Sequence, residues 1–176
     1  MLESLITSKT RIKLLMKFFL NSNTMSYLRD LEGEFGGSTN IIRIELNRME
    51  EDGLLQTHWI GNKKMFRANP EHPLFSDIHS LLLKHTGINH VVSKVINGLG
   101  GLQQAHLVGD FARGKDNPVI DIILVGHEID VTYLSKIIYK AEKTIDRHIR
   151  YMIIEPAEAA GILTNYPEAL LLWESG

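Results

Sequence analysis

At 176 residues the chain has room for one ordinary domain or two small ones, and an apolar fraction of 44% excludes a disordered segment. The absence of cysteine excludes disulfides and thiolate metal sites and is compatible with a reducing compartment, expected to be the cytoplasm. A net charge of −2 excludes a protein that coats nucleic acid without regard to sequence. Its distribution is uneven. Residues 1–70 hold ten Lys/Arg against eight Asp/Glu, and the remaining 106 hold nine against thirteen, so only the front half suits contact with phosphate.

The N-terminal stretch MLESLITSKTRIKLLMKFFLNSN has charges among its apolar positions and no small-residue cleavage site, so neither a signal peptide nor a membrane span is expected. Ile12, Leu15, Met16, Phe19 and Leu20 recur at helical spacing and predict a first helix, which NSNT ends. MSYLRDLEGEF predicts a short second helix with Tyr27, Leu28 and Leu31 on one face and Gly36 and Gly37 beyond its end. Ser38 or Thr39 can cap a third helix, in which Ile42, Leu46 and Met49 form an inward stripe and Gly53 closes the C-terminus. LLQTHWI and MFRA around GNKK then read as a β-hairpin with Lys63 and Lys64 at its tip.

Three helices and a hairpin in that order predict a winged helix-turn-helix over residues 1–71. Once the stripe of the third helix turns inward, Thr39, Asn40, Arg43, Ile44 and Asn47 remain outside. Arginine pairs with guanine through two hydrogen bonds, asparagine does the same with adenine, and threonine and isoleucine touch a thymine methyl, so this is a chemically sensible face for reading bases. Lys63 and Lys64 suit phosphate. Met49–Phe75, MEEDGLLQTHWIGNKKMFRANPEHPLF, resembles the helix end, wing and exit of ArsR-type winged-helix regulators, and most closely a prokaryotic group in which that domain is fused to a small nucleotidyltransferase-like domain. The resemblance implies a dimer on double-stranded DNA. It departs at Ile44, where such regulators often carry a polar or basic residue, and without cysteine it implies no metal sensing.

Residues 72–100 read as a helical connector broken near Gly87. Leu74, Ile78, Leu81, Leu82 and Leu83 spread apolar surface over more than one face, enough for two partners: the winged helix on one side, and a second subunit or the C-terminal domain on the other. His72, His79, His85 and His90 crowd this region, but spacings of seven, six and five do not bring imidazoles together on one helix, and no metal site is expected.

From residue 101 to 176, QQAHLVG and VIDIILVG read as strands, VTYLSKIIYKAEKTIDR as a helix, HIRYMIIEP as a strand, and AEAAGIL and YPEALLLW as short helical pieces. The overall expectation is an α+β protein whose second part is a small α/β domain. GDFARGKDNPVIDIILVG resembles the minimal nucleotidyltransferase motif, Gly-Ser-x-Ala-Arg-Gly followed by a strand bearing Asp-x-Asp. Gly109, Ala112, Arg113 and Gly114 match; Asp110 replaces the serine, Val119 the first strand aspartate, and Asp121 keeps the second. A single strand carboxylate holds two Mg²⁺ ions poorly, and Asp110 repels a phosphate. Asp116, in the loop, is the one substitute within reach. The expectation is therefore a local Asp110–Arg113 ion pair, Asp121 as a hydrogen-bond acceptor, and a vestigial site at Gly109, Asp110, Arg113 and Asp121 with no cofactor and no catalysis. The chain then reads as a sequence-specific DNA-binding regulator whose second domain packs, dimerises or senses a small molecule or nucleotide. The alternative is an active nucleotidyltransferase acting on nucleotide, protein or small-molecule hydroxyls.

Overall fold

A computed structural model describes residues 2–176, and its backbone contacts divide the chain between His85 and Thr86 into two units. The first begins with one turn of helix, α1 (Leu2–Leu5), and the longer α2 (Lys9–Phe19), whose first turn is capped by the Ser8 hydroxyl accepting from the Arg11 N–H at 3.2 Å. Burial on α2 is wider than one stripe. Leu14 to Leu20 are all buried, including Lys17, whose ammonium meets Glu34 at 2.7 Å. A buried ammonium needs such a partner, because desolvation alone would cost several kcal/mol, roughly.

The stretch expected to open the second helix is extended instead. Ser26–Tyr27 forms β1, opposite Phe66 and Met65, and helix α3 starts only at Leu28 and ends at Phe35. The cause is pairing: the strand Lys63–Ala68 (β3) offers its free edge to β1 while its other edge bonds Leu55–Ile60 (β2), giving the order β1-β3-β2. Between α3 and the hairpin runs α4 (Thr39–Glu51), with Ile42, Leu46 and Met49 buried as the spacing requires. Its cap differs from expectation. Ser38 is the N-cap residue but makes no side-chain cap bond, and the Thr39 hydroxyl donates to the Glu32 carboxylate of α3. Ile60 pairs directly with Lys63, so the turn is only Gly61-Asn62, and Lys63 and Lys64 open β3 rather than forming the tip. Helix α5 (Phe75–Thr86) closes the unit; Leu82 is buried, and the His79 Nδ1 stands 2.7 Å from the Phe19 carbonyl.

In the second unit α6 (Ile88–Gly98) leads to β4 (Leu102–Val108), the four-residue turn α7 (Gly109–Ala112), β5 (Val119–Gly126), α8 (Val131–Ile145), β6 (His148–Ile154), α9 (Pro156–Leu163) and β7 (Leu170–Glu174). The sheet runs β6-β5-β4-β7, with β5 and β6 parallel across the α8 connection and the other pairs antiparallel. YPEALLLW is thus not helical. Its apolar run is too short for periodicity to choose a conformation, and the unpaired edge of β4 recruits Leu170–Glu174 as a strand. One sheet face buries Val108, Ile123, Val125 and Ile154 against Ala159 of α9, with Ile162, Leu163 and Tyr166 packed alongside.

α6 and α8 pack against each other, and the approach is tightest at Gly87. Its φ is +82°, and an added Cβ would lie 2.5 Å from Ile145 Cγ2. Gly33, inside α3, has open space around it. Gly87→Ala is therefore expected to destabilise by about 1–3 kcal/mol through strain and overlap. Gly33→Ala should stabilise by up to about 1 kcal/mol through helix propensity. Urea unfolding of the two variants checks the opposite signs; equal midpoints would contradict this account of the α6–α8 contact.

Candidate functional site

The outward face of α4 is the first of two candidate sites. Asn40, Ile41, Arg43, Ile44, Asn47 and Arg48 are exposed, with Ile41 at 50% and Ile44 at 41%. The orientation is set from behind. Beyond the stripe Ile42, Leu46 and Met49, Glu45 is itself buried, accepting from the Ser8 hydroxyl at 2.8 Å and from Arg11 Nε at 2.9 Å. The face so fixed holds donors, acceptors and two branched apolar side chains, with no carboxylate among the six. Thr39 belongs to it only in part, being half-buried and engaged with Glu32.

The two lysines have partners within the unit. Lys64 meets Glu50 at 2.6 Å, and Glu50 also accepts from the Thr57 hydroxyl at 2.8 Å. The Lys64 hydrogen bond, helped by Thr57, holds the Glu50 carboxyl below the usual carboxylate range. Lys63 lies 4.4 Å from the centre of the Tyr27 ring and is exposed. Trp59 and Ile60, which sequence reasoning did not single out, end β2 at 67% and 53% exposure. The signal for them was present: residues next to a two-residue turn have few neighbours to cover them.

The second candidate site is a cavity of about 380 Å³ on the face of the second sheet that also carries Ile123. Gly109, Arg113 and Asp121 line it, as expected for the glycine turn and the following strand. At Gly109 φ is +70° and an added Cβ would stand 2.8 Å from Asp121 Oδ2, so the turn and the carboxylate are fitted to each other. Two further lining residues, Arg150 and Glu168, were not legible in the sequence. Arg150 sits opposite Asp121 in the parallel β5–β6 register and donates Nε to Oδ1 at 2.6 Å and Nη2 to Oδ2 at 3.0 Å. This bonding raises the Arg150 pKa above its ordinary value. Glu168 Oε1 accepts the Gly109 N–H at 3.2 Å and lies 3.0 Å from Arg113 Nη2.

The expected Asp110–Arg113 ion pair is present, though it is not the closest contact of either residue. Its separation is 3.9 Å, whereas Arg113 lies closer to Glu168, and Asp110 accepts from Asn117 Nδ2 at 2.7 Å. Asp116 is drawn to Arg147 at 2.8 Å, and Val119 lies in the β5 ladder opposite His148. The donor set does not fit a divalent cation: Asp121 and Glu168 each face a guanidinium, and no three His, Asp or Glu side chains converge as a metal set among the described residues. Of the histidines, His72 Nδ1 accepts the Leu74 N–H at 3.1 Å, and His79 is held at the Phe19 carbonyl.

No protein-family model and no curated protein sequence matches the chain. Solved structures similar to it include a toxin–antitoxin MntA–HpeT complex, at 16% identity and a TM-score of 0.40, covering 49% of this chain and 73% of that one. An AMPylated HEPN toxin with its MNT antitoxin from Shewanella oneidensis is 16% identical with a TM-score of 0.37, over 51% and 71% of the two chains. A candidate nucleotidyltransferase from Sulfolobus solfataricus is 21% identical with a TM-score of 0.33, over 56% and 84%. The expectation that the chain is no enzyme is withdrawn: the similar structures include one described as a nucleotidyltransferase. The chain is a mixed α+β protein, and none of its described helices is long and apolar enough to cross a membrane.

Proposed function

We propose that the chain is a sequence-specific DNA-binding regulator, in which residues 1–71 are a winged helix-turn-helix and α4 reads bases in the major groove. The observation that carries this reading is the division of α4 into a buried stripe and an outer face bearing Asn40, Arg43 and Asn47 between exposed Ile41 and Ile44. Arg43 suits guanine, the asparagines suit adenine, and the isoleucines suit thymine methyls. Lys63, exposed beside Tyr27, supplies a phosphate contact; Lys64 does so only by leaving Glu50. A nucleotide or small molecule in the cavity of the second unit is the candidate effector.

Arg43→Ala should cost roughly 1–3 kcal/mol on the preferred duplex and relax its sequence preference, while Lys63→Ala should weaken all duplexes alike and reduce the salt slope by about one. Selection from random duplex DNA, then anisotropy titrations on selected and random sequences, measures both. Equal losses on the two sequences for Arg43→Ala would contradict base reading by α4.

We further read the regulator as a homodimer. Leu74 is 53% exposed, and Ile78, Leu81 and Leu83 are only half-buried in the first unit, which leaves α5 with apolar surface to cover. Two copies would address half-sites about one helical turn apart or a multiple of it. Sedimentation equilibrium at tens of micromolar should return twice the chain mass, and Leu74→Glu should shift it toward the monomer; a monomer throughout would contradict the dimer.

A second reading concerns the other unit: nucleotidyl transfer at the Asp121 cavity. It is favoured by Asp121, Arg113 and Arg150 meeting at the glycine turn in an open cavity with room for a nucleotide's phosphates. In such a transfer an acceptor hydroxyl gives its proton to Asp121, its oxygen bonds the α-phosphorus, and pyrophosphate leaves beside the arginines. Arg150 must first move from Asp121 to the phosphates. Labelled product from radiolabelled nucleoside triphosphates that disappears in Asp121→Asn would support the reading. Labelling equal in both proteins, or absent from both, would contradict it.

A further inference from the structure

The groove between α6 and α8 gathers cations in a unit that is otherwise acidic. Residues 86–176 hold eight Lys/Arg against eleven Asp/Glu, and half of those cations, Lys94, Lys136, Lys140 and Lys143, lie on these two helices. His90, Lys94 and Asn97 form one wall, and Tyr133, Lys140 and Thr144 form the other, enclosing about 450 Å³ above a floor of Gly98, Ile137 and Ala141. The spacings make each wall a stripe: 90, 94 and 97 on α6, and 133, 137, 140 and 144 on α8.

The arrangement is costly for the helices alone. Lys136 and Lys140 are four apart, Lys140 and Lys143 three apart, and all three are exposed on one side of α8, where like charges repel. Among the described residues no carboxylate forms an ion pair with them. Glu142 accepts the Ile149 N–H at 2.7 Å toward β6, and Asp130 caps the start of α8 through the Tyr133 N–H. Lys94, Lys136 and Lys140 make no ion pair among the described residues. Lys143 lies over the Tyr139 ring at 4.3 Å, a contact that brings no negative charge.

We propose that this groove binds the phosphate backbone of duplex DNA, adding sequence-independent affinity to base reading by α4; the inference rests on the DNA-binding reading. The polar groups along it, lysine ammonium, asparagine amide, and threonine and tyrosine hydroxyl, are those that contact phosphate and sugar rather than specify bases. Lys94 and Lys140 line the groove, while Lys136 and Lys143 stand about one turn to either side of Lys140 on the same flank of α8; from Lys136 to Lys143 the helix rises roughly 10 Å, which matches about three phosphates of one strand at about 3.4 Å of duplex axis each. An acidic peptide helix would seek apolar anchor positions along the groove; here they amount to Ile137 and Ala141 on the floor, behind polar walls.

Full-length protein carrying Lys94→Gln, Lys136→Gln and Lys140→Gln tests the proposal by anisotropy on a selected and a random duplex across a salt series. Affinity for both duplexes should fall alike, by tenfold or more, and the slope of log affinity against log salt should become shallower by two to three, at about 0.9 per lost phosphate contact. Lys140→Gln alone should flatten it by about one. An unchanged slope, while Arg43→Ala still relaxes sequence preference, would overturn the groove and leave the α4 reading in place. Loss of preference failing to appear, with the slope falling as expected, would do the reverse. Lysine-dependent capture of polyglutamate with no change on duplex would assign the groove to an acidic protein segment, and no duplex binding by the unmodified protein would overturn both readings.

Discussion

The rotation of α4 about its own axis is the constraint on which the DNA-reading account depends. A helix turned by one residue moves each side chain through about 100°, enough to exchange a buried stripe for an exposed one. Ile42, Leu46 and Met49 specify the inward side by burial alone, but apolar contact is tolerant of rotation. Glu45 is less tolerant. Its two carboxylate oxygens are held separately by the Ser8 hydroxyl and by Arg11, at the start of α2, in a site that is only 7% exposed at the glutamate. A buried charge has to keep its partners, so the α2 cap and the α4 face are fixed together. The exposed set Asn40, Arg43 and Asn47 is a consequence of that node.

The second unit follows a different logic, in which charges that could serve a ligand are balanced internally. Asp121 is bound by both arms of Arg150, and Glu168 meets Arg113 and the Gly109 N–H together. The cavity thus carries two cations and two anions on its lining at short range. A phosphate-bearing ligand has to displace a carboxylate to reach either guanidinium, and this exchange is the energetic step that any nucleotide chemistry here must include. The α6–α8 groove contrasts with it, since among the described residues its Lys94 and Lys140 make no ion pair for a ligand to displace.

Legibility from the sequence tracked the range of the interactions involved. The stripe Ile42, Leu46, Met49 and the Gly61-Asn62 turn are local and could be read directly, as could the strand of Val119–Gly126, whose apolar run is long. Ser26–Tyr27 could not, because two residues have no periodicity and owe their conformation to Phe66 and Met65 far along the chain. Leu170–Glu174 failed for the same reason, being an apolar run that only the open edge of β4 makes a strand. At the sites, residue types were readable and partners were not. Arg43 and Asn47 could be chosen from α4 alone. Arg150 and Glu168 could not, since Arg150 reaches Asp121 through strand register and Glu168 reaches Gly109 across 59 residues. Lys64 likewise reads as a phosphate contact from the sequence, which does not show its ion pair with Glu50.

The central claim is that the outer face of α4 touches base edges. Residue-resolved NMR of ¹⁵N-labelled protein titrated with a selected duplex addresses it without any substitution. The account predicts the largest shifts at the side-chain amides of Asn40 and Asn47 and at Arg43 Nε, larger with the selected duplex than with a random one. Shifts of equal size for both duplexes, or shifts that leave α4 untouched, would contradict it.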